Sequence, residues 1–262
     1  MPEQSKLLSD EEAREYILKR LALLDNFVEE IDSFTINEGS LLEGDDLAAG
    51  IERPSFITIS NILVAIDSLK TVRHMVETNY IPTFSLFTVL RSGLEALGIA
   101  MWIIGPGVRN ARLQRCLQTA HESRKDIYST VAKLKNEKLP DISQDANIQA
   151  IRSQAAQRKG LRKESIPSIP GLTARMKAAG QYFDEKEYPL VGLWSLMSGV
   201  AHSQRDIMIQ IMEKMHPLDR DESSFQVTLQ TNMTLLFGLT AAVDFYMDAV
   251  WKRLNELNDR QN

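Results

Sequence analysis

Between Pro82 and Val108 the chain carries only two charged residues, Arg91 and Glu95, four positions apart. On a helix that spacing sets guanidinium and carboxylate on one face. A buried charge is costly unless it is paired and hydrogen-bonded. The pair therefore reads either as an intrahelical ion pair that orients neighbouring helices or as the lining of a polar cleft. A second uncharged stretch, residues 190–201, closes on His202, with Arg205 and Asp206 just beyond. Ser198 and His202 also stand i to i+4, so a hydroxyl and an imidazole share a face. Serine nucleophile chemistry needs that proximity together with an orienting carboxylate and an oxyanion hole. The local string Met197-Ser-Gly-Val-Ala-His202 lacks the glycine-flanked nucleophile elbow. The plainer reading of His202 is a histidine satisfied within a core. Because isolated buried polar groups seek one another, Arg91, Glu95 and His202 are expected to lie together on facing helices.

Other chemistries find little support. Glu213-Lys-Met-His216 is a single E-x-x-H, whereas a helical di-iron site needs two such pairs and further carboxylates. Pro217 follows at once, so His216 is expected to cap a helix C-terminus. No P-loop, no G-x-G-x-x-G and no cysteine cluster occurs, so no metal and no cofactor is expected. Arg109, Arg112 and Arg115 step by three along one side of a helix. Such a stripe grips phosphates or lies as an ordinary solvated face.

The net charge of −5 conceals an asymmetry. Residues 1–108 carry 8 basic and 17 acidic side chains, a balance of −9, and residues 109–177 carry 15 and 6, a balance of +9. Residues 178–262 carry 7 and 12, a balance of −5. The basic centre can meet an anionic partner such as RNA, or pair with the acidic flanks of its own chain or of a second copy. The single cysteine, Cys116, forms no internal disulfide, and the N-terminus lacks the basic-then-apolar design of a signal peptide. Residues 96–108 are uncharged but fall short of the roughly 20 needed to span a bilayer, and residues 223–243 are interrupted by serine, threonine, glutamine and asparagine. Both read as core helices, and the cytoplasm is the expected location, with no membrane partner.

Helical periodicity runs from end to end. Ser9-Asp-Glu-Glu12 is a capping box opening a first helix to about Phe34, with Ile17, Leu21, Leu24, Phe27 and Ile31 on its stripe. An acidic loop, residues 36–54, ends at Pro54. Helices are then expected over about 55–78, from Pro82 in a first helical turn to Gly105, over 108–137, over 143–158 with Asp141 as cap, and from Pro170 to Gly180. Another should run from Pro189 to before Pro217 with a bend near Gly199, and a last one over 224–257. The expected fold is all-α, a bundle of about seven helices in one domain. Residues 1–54 would form the N-terminal helix and acidic loop, 55–137 and 171–257 the core bundle, and 138–170 a peripheral basic excursion and linker.

The strings Leu90-Arg-Ser-Gly-Leu-Glu-Ala-Leu97, Trp102 with the arginines from Arg109, and Leu193-Trp-Ser-Leu-Met-Ser-Gly-Val-Ala-His202 resemble a large set of uncharacterised helical bacterial proteins. Those share an R-S-x-x-E helix, an arginine-studded helix and a late S-G-x-A-H segment, and the likeness brings no activity with it. More distantly, the A-H ending resembles the HEPN (higher eukaryote and prokaryote nucleotide-binding) domains. Many of these are ribonucleases of toxin and phage-defence systems, with an arginine four to six residues before a histidine and a site completed across a dimer. The resemblance implies an RNA partner and a homodimer, with His202 as acid/base, Arg91 or Arg205 stabilising phosphate charge, and Glu95 and Ser198 beside them. Arg109, Arg112, Arg115 and Arg205 would then contact phosphates. The chain departs from that signature, since Ser195, Leu196 and Met197 stand where the arginine belongs; the literal spacing occurs instead at Arg115 and His121. Two other functions fit the residues: a non-enzymatic interaction module in which Arg91, Glu95 and His202 fix packing, and a small-ligand binder using a bundle cleft.

Overall fold

The computed structural model describes residues 8–50, 52–138, 145–183, 188–211, 213–221 and 224–260, and for 163, 213–221 and 224–230 the backbone alone. These residues are predominantly helical, as the patterning requires, but in more helices than the seven expected. In chain order they are α1 (Asp10–Leu21), α2 (Leu24–Asp32), α3 (Leu41–Ala49), α4 (Pro54–Glu77), α5 (Ser85–Ile104), α6 (Arg109–Lys135), α7 (Ala146–Ala156), α8 (Leu172–Gly180), α9 (Leu190–Ala201), α10 (Arg205–Ile211) and α11 (Met233–Asn258). Between α10 and α11 lies a two-stranded antiparallel ribbon of β1 (Glu213–Asp221) and β2 (Ser224–Gln230).

The chain forms two compact units. The first comprises the described residues of Met1–Phe34, Ile62–Leu97 and Asp184–Ala249; the second comprises those of Thr35–Asn61, Gly98–Phe183 and Val250–Asn262.

In the first unit the capping box is present: the Glu12 backbone N–H donates to Ser9 Oγ at 3.2 Å and the Ser9 N–H to Glu12 Oε2 at 2.8 Å. The expected first helix is two, broken at Ala22–Leu23, yet Ile17, Leu21, Leu24 and Ile31 of its stripe are buried. Pro82 stays outside α5, which opens at Ser85. Leu86, Leu90, Leu94 and Leu97, at three- and four-residue steps, are wholly or almost wholly buried. Gly93 lets α4 and α5 approach closely, since a Cβ there would sit 3.1 Å from Ser68 Cβ and 3.3 Å from Ala65 Cα. The helix after Pro189 stops at Ala201, beyond the bend expected at Gly199. Ser203 takes a left-handed φ of 55° and α10 starts afresh at Arg205.

The ribbon corrects two expectations. Residues 224–230 are a strand rather than the start of the last helix, because Phe225, Val227 and Leu229 alternate with Gln226, Thr228 and Gln230 at the period of a strand. Glu213 and His216 lie in β1, so neither helical E-x-x-H spacing nor a helix C-cap applies to them. Pro217, with no N–H for the ladder, falls in the first register shift, between Met215 and Leu218.

In the second unit, part of the expected acidic loop is α3, capped by the Ser40 hydroxyl, which accepts from the Glu43 N–H at 3.0 Å. Asp46 reaches the start of α4, accepting from the Ser55 N–H at 3.1 Å and from the Ser55 hydroxyl. The expected cap Asp141 lies outside the described residues; Asp145 caps α7 instead, accepting from Asn147 and Ile148 N–H groups. Within the segment expected as a peripheral excursion, Ile151, Ala155 and Ile166 are buried in one cluster with Leu117 and Ala120 of α6.

Three helices, Pro54–Glu77, Ser85–Ile104 and Met233–Asn258, are long and apolar enough to cross a membrane by length and composition. Within their most apolar stretches 44%, 67% and 56% of residues are buried inside the protein.

Candidate functional site

Within the first unit α5 and α9 meet through four polar side chains. Arg91 Nη2 lies 2.9 Å from Glu95 Oε2 within α5, the i to i+4 pair that the sequence marks out. Arg91 Nε donates to Ser198 Oγ of α9 at 2.8 Å, and the Trp194 indole N–H donates to Glu95 Oε2 at 3.0 Å. The Arg91 guanidinium carbon stands 5.7 Å from the centre of the Trp194 ring, within cation–π range. Each carboxylate or guanidinium contact thus has a partner on the facing helix, a cross-brace. The Arg91 and Glu95 side chains keep 21% and 24% of their exposure, so the brace sits at the rim of the core.

No side-chain hydrogen bond or ion pair joins His202 to that brace among the described residues. His202 is the C-cap residue of α9, one turn beyond Ser198, and is exposed. Of the expected trio, Arg91 and Glu95 are paired, and their partners on α9 are Ser198 and Trp194. Ser198 Oγ is held by a guanidinium, which donates and cannot accept a proton, so its neighbour is the opposite of a general base. Arg205, the first residue of α10, is exposed.

The arginines of α6 lie in the second unit, where Arg109 and Arg112 meet groups of the chain itself. Arg112 is buried: its Nε lies 2.6 Å from Asp45 Oδ2, and its Nη1 donates to the carbonyls of Pro106 and Gly107 at 2.9 and 3.1 Å. Arg109 Nε lies 3.0 Å from Asp45 Oδ1, a charge contact without hydrogen-bond alignment, and its Nη2 donates to the Gly44 carbonyl. One carboxylate of the acidic segment thus holds two arginines of the basic one. Glu52 faces Arg124 at 3.8 Å in the same manner.

Arg115 differs, having no carboxylate within ion-pair distance among the described residues. Its Nη1 donates to the Trp102 carbonyl at 2.6 Å and to the Tyr182 hydroxyl at 3.3 Å, and its guanidinium carbon stands 5.4 Å from the Trp102 ring centre. Arg175 approaches Trp102 too, at 5.9 Å, and pairs with Glu122 at 2.9 Å. His121, the literal histidine six positions after Arg115, is buried with its Nε2 unpartnered. Burial first, then the charges of Arg152 and Lys125, hold its pKa below the ordinary value.

The second unit also holds a cleft of about 580 Å³ lined by Ile36, Glu43, Leu47, Arg53, Ile151 and Gln154 among others, within the size range of small-ligand sites. Asp46 on its wall has its pKa raised by burial, against the hydrogen bonds from Ser55.

Trp102 and Trp194 entered the sequence reading only through the strings that carry the resemblance, and Asp45, Arg175 and Glu122 were not singled out as site residues. Trp194 carried a usable signal, lying four residues before Ser198 on its face. Asp45 carried only the charge imbalance between segments, because its partner is 67 positions away. Compared with known proteins, the chain matches no family model, no curated protein and no solved structure.

Proposed function

We propose that the chain is a non-enzymatic helical interaction module, whose charged residues within apolar helices fix packing and whose contribution to a partner is helical surface. The observation that carries this reading is the engagement of Arg109 and Arg112 by Asp45 at 3.0 and 2.6 Å, with Asp45 and Arg112 side chains each 1% exposed. Arg112, neutralised and enclosed in this way, has little left to offer a phosphate, and Arg109, with its side chain 47% exposed, already shares that carboxylate. The Arg91–Glu95–Ser198–Trp194 brace supports the same reading, since each of its charges meets a side chain of the facing helix. A second copy of the chain, meeting it through apolar surface such as Leu63 and Val64 of α4, 45% and 44% exposed, is the partner to test first. Such association should resist salt, and a cytoplasmic location fits it.

A second reading, HEPN-like action on RNA, is favoured by one observation: His202 is exposed one turn from a serine that is itself hydrogen-bonded to Arg91. There His202 would be the acid/base, and Arg205 and Arg91 would meet phosphate charge. Digestion of single-stranded and structured RNA by the native protein and by His202→Ala separates the readings. The interaction reading expects no cleavage by either. Cleavage by the native protein that His202→Ala abolishes would replace it with the RNA reading.

A further inference from the structure

Two guanidinium groups crowd one indole in the second unit. Arg115 and Arg175 stand 5.4 and 5.9 Å from the centre of the Trp102 ring, which is itself almost wholly buried. Against these two cations there is, among the described residues, one carboxylate within ion-pair distance, Glu122, 2.9 Å from Arg175 Nη1. Arg115 engages only neutral oxygens, the Trp102 carbonyl and the Tyr182 hydroxyl, both through Nη1. Its Nε and Nη2 hydrogens enter no hydrogen bond among the described residues. Arg175 is 8% exposed, and its Nε, sealed from solvent, has no acceptor.

Such an arrangement is costly as it stands. Cation–π contact offsets part of the charge, but it gives a buried N–H no acceptor. Buried donors in folded proteins almost always have one, whether protein, water or ion. The unmatched charge is positive and the unmatched atoms are all donors, so what would satisfy them carries negative charge and accepts hydrogen bonds.

We propose that Arg115, Arg175 and Tyr182 form a binding site for a small oxyanion, of carboxylate or phosphate type. The planar guanidinium edge of Arg115 suits two oxygens of one anion, which a point charge such as chloride does not exploit. Tyr182 Oη accepts from Arg115, which leaves its own hydrogen to donate. Tyr182 is 37% exposed. Gly105 gives that ring its place: a Cβ there would fall 2.4 Å from Tyr182 Cδ2 and 2.6 Å from the Met101 carbonyl oxygen. Binding would match the second cation that Glu122 leaves unpaired.

The site is tested by titrating the full chain separately with inorganic phosphate and with acetate, ionic strength being held constant with chloride. Calorimetry and the ¹⁵N–¹H resonance of Arg175 Nε–H are the readouts, on native protein, Tyr182→Phe and Arg175→Lys. Saturable binding that moves the Arg175 resonance is expected, weakened at least about tenfold in each variant, the loss of one charge-assisted hydrogen bond. Saturation by phosphate alone assigns a phosphate ligand, and saturation by acetate alone a carboxylate. If Arg175→Lys does not fold, as circular dichroism will tell, the native resonance and Tyr182→Phe decide. No response beyond that of chloride, or variants that bind like the native protein, would overturn the proposal.

Discussion

The two units solve one problem, a charge among apolar helices, in different ways. In the second unit Asp45 and Arg112 are each 1% exposed, and backbone carbonyls of Pro106 and Gly107 complete the guanidinium's hydrogen bonds. In the first, Arg91 and Glu95 keep about a quarter of their exposure, and side chains of the facing helix, Ser198 and Trp194, complete the set. Water can replace a lost partner at the rim but not in the interior. The buried pair therefore depends on both its members, while the rim brace should tolerate loss. An enclosed pair is also evidently unsuited to meeting a ligand.

The largest effect is expected from Asp45→Ala, which strands two arginines, one of them enclosed. It should destabilise the protein by about 3–5 kcal/mol, as breaking a buried pair does, measured by denaturant unfolding. A loss below about 1 kcal/mol, the range of an exposed pair, would put Arg112 in contact with water and erase the contrast. Glu95→Ala should cost less, about 1–2 kcal/mol, since solvent screens what remains. If it matched Asp45→Ala, the brace would be as buried as the interior pair.

The first unit offers a pH test. Asp244 of α11 pairs with Arg20 at 2.6 Å, yet its pKa is pushed up to about 6, by burial first and with a contribution from Asp248. Its folded value lies above the unfolded 3.8, so the folded state holds this proton more tightly. The stabilisation is full below about pH 4 and is lost as pH rises through about 6. The unfolding midpoint of native protein minus that of Asp244→Asn should therefore fall as pH rises from 4 to 7. A difference that stays flat would show that the carboxylate is ionised throughout. The smallest effect belongs to Trp194→Phe, which removes one indole N–H from a partly exposed carboxylate and should cost about 0.5–1.5 kcal/mol.

How far the sequence was legible follows the range of each interaction. The helices were readable because periodicity and caps are local: the Ser9 capping box is present, and Ile17, Leu21, Leu24 and Ile31 of the expected stripe are buried. Arg91 and Glu95 were readable because a lone charge in an apolar helix must find a partner within one turn. Ser198 was singled out beside His202 by spacing within α9, whereas packing against α5 supplies its hydrogen-bond partner Arg91. Asp45 and Arg112 lie 67 residues apart, beyond any local pattern, and only the opposite charge of their segments hinted at the pairing. The ribbon was missed although Phe225, Val227 and Leu229 alternate, because seven residues of period two were read as the first turns of the longer helical pattern behind them.

The central claim, that the arginines of α6 chiefly serve the fold, is tested most directly by the salt dependence of RNA association. Binding of a labelled single-stranded RNA by native protein would be followed by fluorescence anisotropy from about 50 to 200 mM salt, the range over which phosphate contacts weaken steeply. The account predicts weak binding with a shallow slope, unchanged in an Arg109→Gln variant. Tight binding with a steep slope that Arg109→Gln flattens would contradict it.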